Sequence, residues 1–153
     1  MLKTGDKIPS IRLEGSDDNS HTLSEFIGKP LVVFFYPKNE TPGCVAEVCA
    51  FRDQFEDFTQ LGAAVVGISA DSISSHKSFI KNRRLPFLLL SDPRGQAEKA
   101  FKIKRPLFGL LPGRVTFVFN EKGELIYSFN SSTNPTKHIK MALDSLKRIQ
   151  HED

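Results

Sequence analysis

Three short runs of apolar, β-branched and aromatic residues, at 31–36, 64–69 and 87–90, alternate along the chain with segments of helical periodicity at 44–60 and 72–83. A continuous apolar run of this length reads as a strand buried on both faces. Joining such strands through helices requires crossovers, and crossovers make them parallel neighbours. Pro30 and Pro37 bound the first run; Asp71 or Ser72 caps the helix after the second; Asp92-Pro93-Arg94-Gly95 ends the third. A short helix is expected at 96–101. Runs at 115–119 and 124–129 then flank Asn120-Glu121-Lys122-Gly123, a hairpin signal, and a last helix at 136–150 has Pro135 at its first turn. The expectation is an α/β fold, one domain over 1–153, with a central mixed β-sheet flanked by helices.

Several function classes fall away on composition. The longest apolar run, 31–36, is far below the ~20 residues a membrane helix needs, so no membrane insertion is expected. Residues 1–6 contain no apolar leader segment, which reads as no export signal and a cytoplasmic location; a processed plastid protein would read the same way. The two N-x-S/T sequons, at Asn39 and Asn130, are then coincidental. The net charge of +3 is dispersed, and the densest basic cluster, Lys99-Lys102-Lys104-Arg105, lacks the interleaved aromatics of a nucleic-acid platform; no nucleic-acid partner is expected. Two cysteines and four scattered histidines make neither a disulfide scaffold nor a metal site.

Chemistry in an open α/β sheet gathers beyond the carboxyl ends of the strands, and the first long strand leads directly into Pro37…Cys44. Thr41-Pro42-Gly43-Cys44 reads as a helix start, with Thr41 as N-cap and Pro42 at the first helical position. Cys44 then sits in the first turn, where unpaired N–H groups and the helix dipole favour a thiolate, the nucleophilic form. At 100° per residue Val48, Phe51, Phe55 and Phe58 fall within about 40° of Cys44, placing it mid-stripe on the apolar face. Cys49 falls about 140° away, on the polar side with Asp53 and Glu56. Glu47 lies on the edge of the stripe, where a carboxylate requires a partner. An intact helix holds residues five apart about 8.7 Å between Cα atoms, and a disulfide needs less than about 7 Å. Any Cys44–Cys49 bond therefore demands that the first turns unwind.

The segment Phe35-Tyr36-Pro37-Lys38-Asn39-Glu40-Thr41-Pro42-Gly43-Cys44, with Glu47, Cys49 and Phe51-Arg52-Asp53, resembles the active-site region of the peroxiredoxin Q/bacterioferritin comigratory protein family. The similarity continues through Gly5-Asp6-Lys7-Ile8-Pro9, Ile68-Ser69-Ala70-Asp71-Ser72, Leu90-Ser91-Asp92-Pro93 and Pro112-Gly113-Arg114-Val115-Thr116-Phe117, nearly the whole chain. This resemblance implies a thioredoxin-like fold and thiol-dependent reduction of hydrogen peroxide and organic hydroperoxides. It implies Cys44 as the peroxidatic nucleophile and Cys49 as the resolving thiol. Thr41 would orient the peroxide, Arg114 stabilise thiolate and transition state, Pro37 shield the sulfur, and Glu47 hold Arg114. It also implies recycling by thioredoxin or a similar dithiol, with no flavin, haem or metal; the chain is expected to be a monomer. Val45 and Asn120 depart from the family's usual residues, at positions that bear on substrate preference.

Two other readings stay open at this stage. A general thiol–disulfide oxidoreductase is disfavoured by C-x4-C spacing in place of C-x-x-C. A redox-sensing or chaperone-like binding protein would use the helix transition as a switch. The apolar stretch Phe108-Gly109-Leu110-Leu111 reads as a packed loop or, if exposed, as a docking patch.

Overall fold

Seven strands of the described residues form one sheet in the order β2-β1-β5-β4-β3-β6-β7: β1 Arg12–Gly15, β2 Ser20–Thr22, β3 Leu31–Phe35, β4 Ala64–Ser69, β5 Leu88–Ser91, β6 Val115–Phe119 and β7 Leu125–Asn130. The computed structural model describes residues 1–103, 114–130 and 134–150. The Phe108–Leu111 stretch, Lys104-Arg105, Pro112-Gly113 and most of the second sequon lie outside them. A 3-10 turn at Leu23–Phe26 and helices α1 Pro42–Asp53, α2 Phe55–Gln60, α3 Ile73–Arg83, α4 Gln96–Ala100 and α5 Lys137–Gln150 complete the described elements. No helix of the described residues is long and apolar enough to cross a membrane.

The crossovers behave as the alternation requires. β3 pairs with β4 and β4 with β5 in parallel, whereas β6 runs antiparallel to β3 and β7 antiparallel to β6. All five residues of β3 are buried, because helices or loops cover both of its faces. Its side chains divide with period two. Val32 and Phe34 join the core under α1, α2, α3 and α5, with Phe51, Phe58, Phe79 and Leu146. Leu31, Val33 and Phe35 join the opposite core, with Ile68, Phe101, Phe117 and Leu23. Aromatic contacts anchor both: Phe34 stacks on Phe51 at 4.4 Å, and Phe101 meets Phe35 and Phe117 at 4.9 Å each. Gly67 in β4 is a close-approach position, since a Cβ there would stand 2.7 Å from both the Phe34 ring and Leu89 Cδ2.

Three features differ from the expectation. The single helix read over 44–60 is two, separated at Gln54 (φ −102°, ψ 9°). The break keeps Phe58 buried against Phe51 while Phe55, half-buried, lies against Phe87 at 6.0 Å. The short strands β1 and β2 have no counterpart in the reading above: β2 lies at the sheet edge, and β1 stands between it and β5, antiparallel to both. Cys49 is half-buried rather than open on a polar face.

The register places the chemistry. β3, β4 and β5 end at the same edge, and Phe35 pairs with Val115, so the residues after β3 and the residue before β6 meet there. Cys44 follows β3 and Arg114 precedes β6.

Candidate active site

Thr41 stands at the N-cap of α1 with extended backbone (φ −88°, ψ 147°) and Pro42 at the first helical position. Its hydroxyl does not cap the helix: it donates to the Lys38 carbonyl at 2.8 Å, tightening the loop in front of the helix. Cys44 is 1% exposed, and its Sγ receives the Lys38 N–H at 3.5 Å and Arg114 Nη2 at 3.5 Å. Two donors and the dipole of the first turn therefore converge on one sulfur. Gly43 makes room for this: a Cβ there would stand 3.2 Å from Arg114 Nη2. Side-chain size at position 43 and the reach of the guanidinium are thus linked.

Arg114 spans two acceptors. While Nη2 points at Cys44, Nη1 donates to Glu47 Oε1 at 3.1 Å, and both residues are buried. Glu47, on the edge of the stripe in the sequence reading, is fully buried. Burial pushes its carboxyl up to about 8, against the pull of the Arg114 guanidinium. Its second oxygen lies 3.7 Å from His138 Nδ1, and that nitrogen shares a hydrogen bond with Thr116 Oγ1 at 2.8 Å. His138 sits in the first turn of α5, edge-on to Phe129. Three elements, α1, β6 and α5, thus close around the Arg114–Glu47 pair.

A second polar cluster holds the loop from the other side. Asn39, 6% exposed, contacts the side chains of Tyr36, Ser75 and His76, and its N–H donates to Asp71 Oδ2 at 2.9 Å. Asp71 also accepts the Ser69 hydroxyl. Burial pushes the His76 imidazole below its ordinary value and the Tyr36 phenol above its own.

Of these candidate residues, Arg114 touches the Cys44 sulfur directly, Glu47 joins through Arg114, Thr41 is tied to the Lys38 carbonyl, and Pro37 lies half-buried at the start of the loop. Cys49 stands apart. Both cysteines are free, and α1 runs as regular helix through the pair. Near Cys49 the loop and α3 are bridged by Arg83 Nη2 to Glu40 Oε2 at 2.7 Å, and Arg52 Nη1 donates to the Arg83 carbonyl at 2.7 Å. Asn39, His76, Thr116 and His138 were not singled out. His76, Thr116 and His138 are remote in sequence from their partners, and Asn39, though close to Tyr36, depends on Asp71, Ser75 and His76 more than thirty positions away.

A model of the AhpC/TSA family matches residues 4–128. Peroxiredoxin Q, chloroplastic, from Populus jackii is 48% identical over 148 residues, which cover 97% of this chain and 70% of that protein. Among solved structures, peroxidoxin BcpB from Mycobacterium tuberculosis superposes with a TM-score of 0.89 at 35% identity, covering 97% of this chain and 99% of that one. The bacterioferritin comigratory protein of Xanthomonas campestris, solved in work on its alkyl peroxide reduction activity, superposes with a TM-score of 0.81 at 27% identity, covering 95% and 97%. These neighbours share the thioredoxin-like architecture, so the expected fold class holds.

Proposed function

This chain belongs to the AhpC/TSA family and is a thiol peroxidase of the peroxiredoxin Q kind, and from that premise we propose that Cys44 is its peroxidatic nucleophile. The observation that carries the assignment is the convergence of Arg114 Nη2 and the Lys38 N–H on a buried sulfur in the first turn of α1. The Cys44 thiolate attacks one oxygen of the hydroperoxide, the O–O bond breaks, and the second oxygen leaves as water or alcohol after taking a proton. Cys44 is left as a sulfenic acid. Charge grows on the leaving oxygen, and fixed donors there lower the barrier. Arg114 is the donor proposed for that task; the Thr41 hydroxyl joins it once its hydrogen turns from the Lys38 carbonyl to the peroxide, and Pro37 closes one side of the approach.

Glu47 sets the direction of the guanidinium through the Nη1 contact. A carboxyl raised by burial competes less for Arg114 than a fully ionised one, which leaves more of the positive charge for the sulfur.

Cys49 then acts as the resolving thiol. Its thiolate attacks the Cys44 sulfenic sulfur, hydroxide leaves and is protonated to water, and a Cys44–Cys49 disulfide forms. The free state of both thiols in the folded helix is compatible with this only if the start of α1 unwinds first. A thiol reductant returns the two electrons by exchange, and thioredoxin is the dithiol proposed. The chain acts as a monomer, in the cytoplasm or in a plastid.

A peroxide-consumption assay coupled to thioredoxin tests the assignment. Cys44→Ser abolishes consumption, whereas Cys49→Ser still forms one sulfenic acid but loses thioredoxin-driven turnover. Peroxide consumption that persists in Cys44→Ser overturns it.

A further inference from the structure

We propose that Asn39 is a positioning residue for the peroxide step: its buried carboxamide fixes the loop between β3 and α1 so that the Lys38 N–H stays on the Cys44 sulfur. The inference rests on the reading of Cys44 as the peroxidatic cysteine.

Every polar atom of the carboxamide is engaged. Oδ1 accepts the Tyr36 hydroxyl at 2.6 Å. Nδ2 donates to Ser75 Oγ at 3.0 Å and to His76 Nδ1 at 3.0 Å, which uses both of its hydrogens. His76 Nε2 in turn meets the Leu90 carbonyl at 3.0 Å. A carbonyl only accepts, so Nε2 carries the imidazole hydrogen and Nδ1 is the acceptor that Asn39 requires. The lowering of His76 by burial favours this neutral form. The residue's own N–H is tied to Asp71.

These partners come from the end of β3, from α3 and, through His76, from β5. Asn39 therefore lashes the loop to three rigid elements at the very edge where the chemistry sits. Its immediate neighbour Lys38 supplies both the N–H on Cys44 and the carbonyl that holds the Thr41 hydroxyl. Releasing the carboxamide frees both. A displacement near 1 Å at a reacting centre costs about 100-fold in rate.

The test uses the full chain with two variants, Asn39→Ala and Tyr36→Phe, and steady-state kinetics in which hydrogen peroxide and dithiothreitol are varied in turn. In Asn39→Ala the kcat/KM for peroxide falls about 10- to 100-fold, while that for dithiothreitol changes by less than about twofold. Tyr36→Phe keeps the ring in the core, removes one contact to Oδ1, and lowers the peroxide value in the same direction by a smaller factor. It carries the test alone if Asn39→Ala does not fold. Unchanged peroxide values in the folded variants, or equal loss for both substrates, overturn the proposal. Peroxide consumption that persists in Cys44→Ser instead overturns the assignment of Cys44, whatever the Asn39 variants do.

Discussion

At the scale of single residues, the site is a contest for one guanidinium. Cys44 and Glu47 both lean on Arg114, and burial raises the Glu47 carboxyl against the pull of that cation. That burial carries a stability signature. In the unfolded chain Glu47 releases its proton near 4.5, whereas in the folded chain it holds it to about 8. Its contribution is fully present below 4.5 and is lost as pH rises towards about 8. Glu47→Gln, which cannot ionise, should flatten this decline. Urea midpoints measured from pH 5 to pH 8 on wild type and variant check it, and equal slopes in the two would refute the claim. Gly43→Ala acts on the same contest from the other side. With a methyl 3.2 Å from Arg114 Nη2 the guanidinium must give way, and the peroxide rate should fall roughly tenfold, with little change in fold stability. Sequence reasoning reached Cys44, Glu47 and Arg114 because motif and helical phase point to them. It did not reach His138 or His76, whose meaning comes from neighbours 22 and 37 positions away.

At the scale of elements, α1 has two duties that conflict. As a regular helix it presents Cys44 to its donors; as a regular helix it also keeps Cys49 out of reach. With Cys49 as the proposed resolving thiol, oxidation has to loosen it. Hydrogen exchange after one equivalent of peroxide should show amides from Val45 to Asp53 losing protection while those of Phe55–Gln60 keep theirs, because Gln54 already interrupts the helix there. Full protection of α1 in the disulfide form would exclude this path. The break itself was illegible beforehand: Phe51, Phe55 and Phe58 keep one stripe on paper, and only the separate seat of Phe55 on Phe87 distinguishes two helices from one. The buried strands were legible because hydrophobic runs of that length have few alternatives. Strands β1 and β2 were not, since runs of three or four residues carry too weak a pattern. At β4, Gly67→Ala should destabilise the protein by about 1–3 kcal/mol through collision with Phe34 and Leu89, read as a lower urea midpoint.

At the scale of the whole molecule, the sheet separates two cores with different consequences. The core under α1 contains Cys44 itself, so a cavity there moves the support of the proposed nucleophile. The opposite core holds Leu125, 1% exposed, with no site residue beside it in that cluster. Leu125→Ala should cost about 2–5 kcal/mol of stability yet leave the peroxide rate of the folded fraction within about twofold of wild type. Stopped-flow oxidation at low temperature, beside a urea titration, measures the two effects separately; a matching collapse of rate would show that both faces of the sheet govern the chemistry.

The pairing of Phe35 with Val115 also bears on how a newly made chain becomes an enzyme. Cys44 and Arg114 are 70 positions apart, and what joins them is the β3–β6 ladder. Helix formation at 42–53 would by itself supply only the Cys44 half of the site. Competence arrives only when the late-synthesised strand docks beside the early one, a closure of long loop and high entropic cost. Until that moment a growing or refolding chain exposes a cysteine without its arginine, so it is not yet primed against the oxidants that it is built to destroy.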